Sequence, residues 1–195
     1  MGNRSNQKQR GGYQRPRTRW SAWNIFIGVL VTGGVAGLAL LAILGKPGAE
    51  KEIPGVRLFS DLARGHQTEP VTYAETPPVG GIHNPVWQNC GMYSKPVANE
   101  NAVHSMEHGA VWITYRPDLP ETDVKALRDL GRRSFVLVSP YPGLPAPVVV
   151  TAWGVQLQVE KASDSRLQQF LRKYTVGPTT PEPGAPCTGG VGAPE

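Results

Sequence analysis

The sequence predicts an α+β domain carried behind a single membrane-spanning helix, on three observations. A twenty-residue run without a charge, Ile25 to Leu44, follows a purely basic N-terminus. The chain beyond it is divided into a Pro- and Gly-rich first half and a regular second half. In that second half, β-branched runs and helical periodicities alternate in the order β-α-β-β-α, which suits helices packed on one face of a mixed sheet.

Residues 1–24 are the first element. Arg4, Lys8, Arg10, Arg15, Arg17 and Arg19 are not offset by any acidic residue in this stretch, whereas the rest of the chain holds 14 basic and 15 acidic side chains. The formal charge of +5 therefore belongs to the tail. Beside a span, such an arm sets orientation, so residues 1–24 are expected in the cytoplasm, and no nucleic-acid partner is expected. Residues 25–44 then cross the bilayer, since ~20 residues at 1.5 Å each match a hydrocarbon core of ~30 Å. A cleaved signal peptide would have a shorter apolar core and a small-x-small cleavage site, and Gly45-Lys46-Pro47-Gly48 supplies none. Trp20 and Trp23 fall where an interfacial aromatic belt lies. Gly33 and Gly37 form a GxxxG pair, which raises a homodimer as one option and chance in a Gly-rich span as the other.

Residues 45–55 read as a linker, and residues 56–195 as the extracytoplasmic domain. Its first half, to Gly109, is loop-dominated, with one short strand expected at Val71–Tyr73. Asn99 is placed as the cap of a short helix through His108, with Gly109 as its left-handed terminator. Ala110–Tyr115 is a strand by composition. A helix follows to Gly131, with Thr122 as its cap and Val124, Leu127 and Leu130 on one face. Ser134–Val138 and Val148–Ala152 are strands, and Val155, Leu157 and Val159 alternate with Gln156 and Gln158 in a half-buried one. Ser163 is placed as the cap of a last helix with Leu167, Phe170, Leu171 and Tyr174 on its inner face. The tail from Gly177 is Gly, Pro and Thr and builds no core. Cys90 and Cys187, an even pair in an oxidising compartment, are expected to form a disulfide. The alternative is a Cys90 thiolate ligand with Cys187 free.

Chemistry concentrates in the loop-rich half, which holds all four histidines. His104 and His108 are one helical turn apart, about 6 Å along the axis, so two imidazoles can reach one ion. His83 follows a glycine pair, and His66 is a weaker fourth ligand. Glu107 is either a further ligand or an acceptor that fixes an imidazole tautomer. Cys90, Met92 and Met106 widen the candidate set: thioether with imidazole favours copper, whereas His with Glu and water suits zinc. Neutral imidazoles are required, so binding should weaken as pH falls through ~6.5. The alternative is that the histidines hydrogen-bond loop carbonyls in a non-catalytic structural or partner-binding domain of an envelope complex. His104-x-x-Glu107-His108 also matches the inverted zinc-peptidase signature, but that motif belongs in a long helix. Thr76 to Gly81 lacks the Lys-Ser/Thr of a phosphate loop. No nucleophile elbow, dinucleotide fingerprint or CxxC pair occurs.

Pro77–Gly81, His83, Trp87, Gly91–Tyr93, Val103–Gly109, Thr151–Gly154 and Pro181–Cys187 together resemble the bacterial domain of unknown function 3105. The resemblance covers about residues 60–190 and implies an anchored extracytoplasmic domain without a known activity. It marks His66, His83, His104, His108 and Glu107 as family positions. Met106 stands where the family commonly has Leu, which argues against a thioether ligand there.

Overall fold

The computed structural model describes residues 52–195. A six-stranded sheet forms around the β-branched runs of the second half: β1 (Arg57–Leu58), β2 (Gly91–Met92), β3 (Val111–Tyr115), β4 (Val136–Pro140), β5 (Val148–Ala152) and β6 (Val155–Val159). The three helices among the described residues are α1 (Asn99–Glu107), α2 (Glu121–Gly131) and α3 (Ser165–Tyr174). The strand order is β1-β6-β5-β3-β4-β2. β2 and β3 run parallel to β4, and the remaining pairs are antiparallel, so the sheet is mixed.

Alternation decides which layer each side chain joins. Val111, Ile113, Val136, Val138, Val148, Val150, Val155 and Leu157 face one way and pack with Val124, Leu127 and Leu130 of α2 and Leu167, Phe170 and Leu171 of α3. The intervening residues face the other way. There Trp112 and Leu137 meet Ala102, Val103 and Met106 of α1, with Trp153 completing the cluster. The helices thus cover both faces. Two share the face that their periodicity specifies, and α1 with the loop-rich half covers the other.

Boundaries differ from the sequence reading where local chemistry competes with composition. Val71–Tyr73 is not a strand: the Val71 amide donates to Glu100 Oε1 at 3.0 Å and the Tyr73 hydroxyl to the Ile82 carbonyl at 2.8 Å, so side chains replace a ladder. β4 starts at Val136, because Phe135 has φ +58° and ends a turn. α2 begins at Glu121 after Pro120, whose carbonyl accepts from Asp123 and Val124, and Thr122 lies inside the first turn. The cap of α3 is Asp164, which accepts from the Arg166 amide at 2.9 Å, one residue beyond the expected Ser163. Ala98, not Asn99, precedes α1, and Gly109 follows it at φ +103°, where a Cβ would stand 2.9 Å from the Val176 backbone. The folded unit already includes Glu52 to Gly55, with Ile53 buried against the core, so this end of the expected linker is part of it.

The expected span at residues 25–44 lies outside the described residues. No described helix is long and apolar enough to cross a membrane.

Two connections matter for the site. The two-residue turn Trp153-Gly154 joins β5 to β6, and its Gly154 amide donates to the Val79 carbonyl at 2.7 Å. This bond braces the loop that carries His83. The tail returns along residues 87–92: Cys90 donates to the Cys187 carbonyl, Val191 to Trp87 and Glu195 to Met92, at 2.8–2.9 Å. Cys90 and Cys187 form the disulfide that cysteine arithmetic predicts, with Cα atoms 5.4 Å apart.

Candidate metal centre

α1 presents His104 and Glu107 to the loop-rich half because its other side is committed to the apolar cluster around Trp112. The helix is buried from Ala102 onward, so both side chains are withdrawn from solvent, His104 to 5% exposure and Glu107 to 3%. The loops supply the facing residues. The Gln67 amide donates to the His83 carbonyl at 2.8 Å and the His83 amide to the Gly65 carbonyl at 3.0 Å, a parallel bridge that sets His66 beside His83. The rings of His66, His83 and His104 lie 4.7–4.8 Å apart, centroid to centroid.

One donor atom from each of His66, His83, His104 and Glu107 lies within 4.8 Å of the other three. Donors on one ion at about 2.0–2.2 Å stand roughly 3–4 Å apart, so this grouping is close to one coordination sphere. His83 is fully buried, and its Nδ1 donates to the Gly81 carbonyl at 2.8 Å. A carbonyl can only accept, which fixes the proton of a neutral His83 on Nδ1 and leaves Nε2 as a lone pair. That lone pair stands 2.9 Å from Glu107 Oε2. The pair is ionic only if the ring is protonated, and Nε2 has no hydrogen-bond partner. His104 repeats the arrangement, its Nδ1 bonded to the Asn84 carbonyl at 2.7 Å. Two imidazole nitrogens and a buried carboxylate therefore face one space, which a bound metal ion satisfies, as does a proton on His83 Nε2 shared with Glu107.

The other candidates go elsewhere. His108 is buried, but its Nδ1 donates to the Pro186 carbonyl at 2.7 Å and its Nε2 lies 3.9 Å from Glu182 Oε2. Its ring remains against His104 at 4.5 Å, outside the group of four converging donors. His66, the weaker ligand by sequence, is inside that group. Met106 is wholly buried in the apolar cluster of Trp112 and Leu137, and Met92 lies in the opposite core, beside Gly131 of α2. With Cys90 bonded to Cys187, the grouped donors are nitrogen and oxygen alone. Trp87 and Trp153 form walls: Trp87 lies 5.7 Å from His104 and 5.0 Å from His108, and Trp153 lies 5.9 Å from His83. The carbonyls that orient the rings carry no sequence signal beyond the Gly80-Gly81 pair.

A family model described as "Protein of unknown function (DUF3105)" matches residues 66–189. The chain belongs to the DUF3105 family. The matched region holds all four histidines, Glu107 and both cysteines. Neither a curated protein nor a solved structure matches the chain. Function in this DUF3105 domain has to be argued from the site itself.

Burial pushes the His104 pKa down to about 4; the Asn84 carbonyl opposes this, and the nearby His108, His83 and His66 add to it. The metal-free protein is therefore expected to lose stability as pH falls from about 6.5 to about 4. Over that range the unfolded chain protonates this imidazole and the folded one does not. The loss is about 3 kcal/mol at most. Thermal melts across this range should show the slope in metal-free wild type, and His104→Gln should flatten it. An equal slope in both would assign the acid sensitivity to other groups.

Proposed function

We propose that this domain binds one divalent transition-metal ion through His66, His83, His104 and Glu107, and that residues 25–44 hold it at the outer face of a membrane. The observation that carries the metal reading is the unpartnered His83 Nε2, fully buried and 2.9 Å from a buried carboxylate oxygen. A bound cation satisfies both groups. Imidazole nitrogen and carboxylate oxygen without thiolate or thioether favour zinc, with copper(II) as the competing ion. When bound, the ion acts as an electrophile. His83 and His104 hold their rings in place through the Gly81 and Asn84 carbonyls, and Glu107 supplies the negative charge. Protein purified without chelator should contain close to one equivalent of metal by elemental analysis, or take it up at micromolar concentration. A wild-type protein that takes up neither Zn²⁺ nor Cu²⁺ under these conditions eliminates the metal reading.

A second reading has its own support. His83, His104 and His108 each bond a loop carbonyl through Nδ1. Histidines doing only this would make the domain a structural or partner-binding module of an envelope complex. In that case their replacement lowers stability in the absence of any metal and leaves metal content unchanged.

The tether rests on the charge asymmetry about residues 25–44. Alkaline phosphatase fused after Glu195 should be active in a bacterial host. A silent fusion, with a cytoplasmic reporter active at the same position, reverses the orientation.

A further inference from the structure

The four donors are not equally held. His83, His104 and Glu107 are 0–5% exposed, and both imidazoles are tied from behind to backbone carbonyls. His66 has a side chain 46% exposed, its Nε2 is 3.9 Å from Glu107 Oε2, and no hydrogen bond to a described residue fixes its ring. Its segment, residues 63–70, is exposed apart from the half-buried Gly65, and it joins the site through the backbone bridge to His83. Around the buried donors the space is walled by Trp87 on the His104 side and Trp153 on the His83 side. The open side is the one His66 occupies.

Resting on the metal reading above, we infer that His66 is the exchange ligand and that this is a transfer site for a divalent cation. A structural zinc site is normally closed by four fixed protein ligands. Here one ligand can leave at little cost, because its freed nitrogen regains water while the other three stay in place. Transfer is then a ligand substitution. An imidazole or thiolate from an acceptor forms a bond to the ion as the bond to His66 Nε2 breaks; His66 recovers its lone pair, and an incoming thiol gives its proton to solvent. The remaining three bonds pass over in turn. The acceptor or donor is a metal carrier presenting such side chains at an exposed surface, able to approach the face of residues 63–70.

The test uses the full chain in detergent solution, loaded with one equivalent of Zn²⁺ and mixed in a stopped-flow instrument with the chromogenic chelator 4-(2-pyridylazo)resorcinol. The wild-type transfer rate should rise in proportion to chelator concentration, as attack at an open position requires. His66→Ala should still bind zinc, more weakly, and release it about tenfold faster or more, the scale on which single changes around metal ligands act. His108→Ala, outside the donor group, should release it at close to the wild-type rate. A wild-type rate independent of chelator concentration, or a His66→Ala rate within about twofold of wild type, overturns the exchange role while leaving the metal site standing. Should His66→Ala hold no zinc, the concentration dependence of the wild type decides alone. A wild type that binds no zinc removes both the exchange role and the site beneath it.

Discussion

Replacing Cys90 and Cys187 together by Ser should lower the melting temperature of the domain by roughly 10–15 °C. The reason lies in the unfolded chain. The bridge joins residues 97 apart, and a loop of about 100 residues gives up to ~4.7 kcal/mol in the chain-entropy model. Native packing has little to put in its place. Residues 181–186 and 188–195 are exposed or half-buried, Cys187 being the buried exception. The rest of the attachment is hydrogen bonds and ion pairs, among them backbone bonds from Asn89, Cys90, Glu182, Val191 and Glu195 and the Asn89 side chain on Gly190 and Gly192. The effect should extend to the site, because the Pro186 carbonyl that fixes His108 is the neighbour of Cys187. Calorimetry of the double variant, and of wild type with and without reductant, reads this directly. A shift under about 2 °C in both would place tail attachment in the hydrogen bonds instead.

What was legible in the sequence divides along the same line as the chain. The second half is legible where its residues face the α2–α3 layer; the opposite face, where Trp112 and Leu137 meet α1 and Gln156 is buried, carries no such period. Val155, Leu157 and Val159 alternate, and Leu167, Phe170 and Leu171 repeat at helical spacing, and each set is buried in one core. The errors there are at ends, where Phe135 at positive φ and the Asp164 carboxylate decide matters that composition does not express. The first half was legible only as irregular. Its order comes from long-range bonds such as Val71 to Glu100, Gly154 to Val79 and Ser105 to Gln88, which leave no period. For the site, the spacing of His104 and His108 pointed to the helix that carries two of the grouped donors, His104 and Glu107, while the donors grouped with them are His66 and His83. One turn apart suffices for two rings to touch, and they do, at 4.5 Å. Which nitrogen each ring offers is set by the carbonyl behind it, and the carbonyl behind His108 belongs to a tail residue 78 positions away. His66, the weaker fourth ligand by sequence, is brought in by an isolated parallel bridge to His83, a long-range pairing that leaves no sequence signal.

The sharpest separation between the two readings of the histidines is expected from His104→Ala and His108→Ala taken singly. A helical-turn pair acting as two ligands would make the two variants equivalent. The geometry makes them different. His104 contributes to the converging donors, with its Nδ1–H donated to the Asn84 carbonyl and its pKa lowered by burial to about 4, so the ring is neutral throughout the range above that. Its loss leaves His66, His83 and Glu107 with an open position, and zinc affinity should fall by about a hundredfold or more, beyond the 10–100-fold typical of outer-shell changes. His108→Ala removes a buried ring that packs edge-on against His104 and tilted against Trp87, and a bond to Pro186, so it should cost about 1–3 kcal/mol of stability. Zinc affinity in this variant should stay within about tenfold of wild type. Glu107→Gln is the electrostatic control. It keeps the size of the side chain and removes the charge opposite His83 Nε2, so affinity should fall as for His104→Ala while the fold persists. Isothermal titration with Zn²⁺ and a thermal melt of each variant give both quantities. Equal losses of affinity for His104→Ala and His108→Ala would restore the helical pair as the ligand set, with His108 offering Nε2 while its Nδ1 keeps the Pro186 carbonyl.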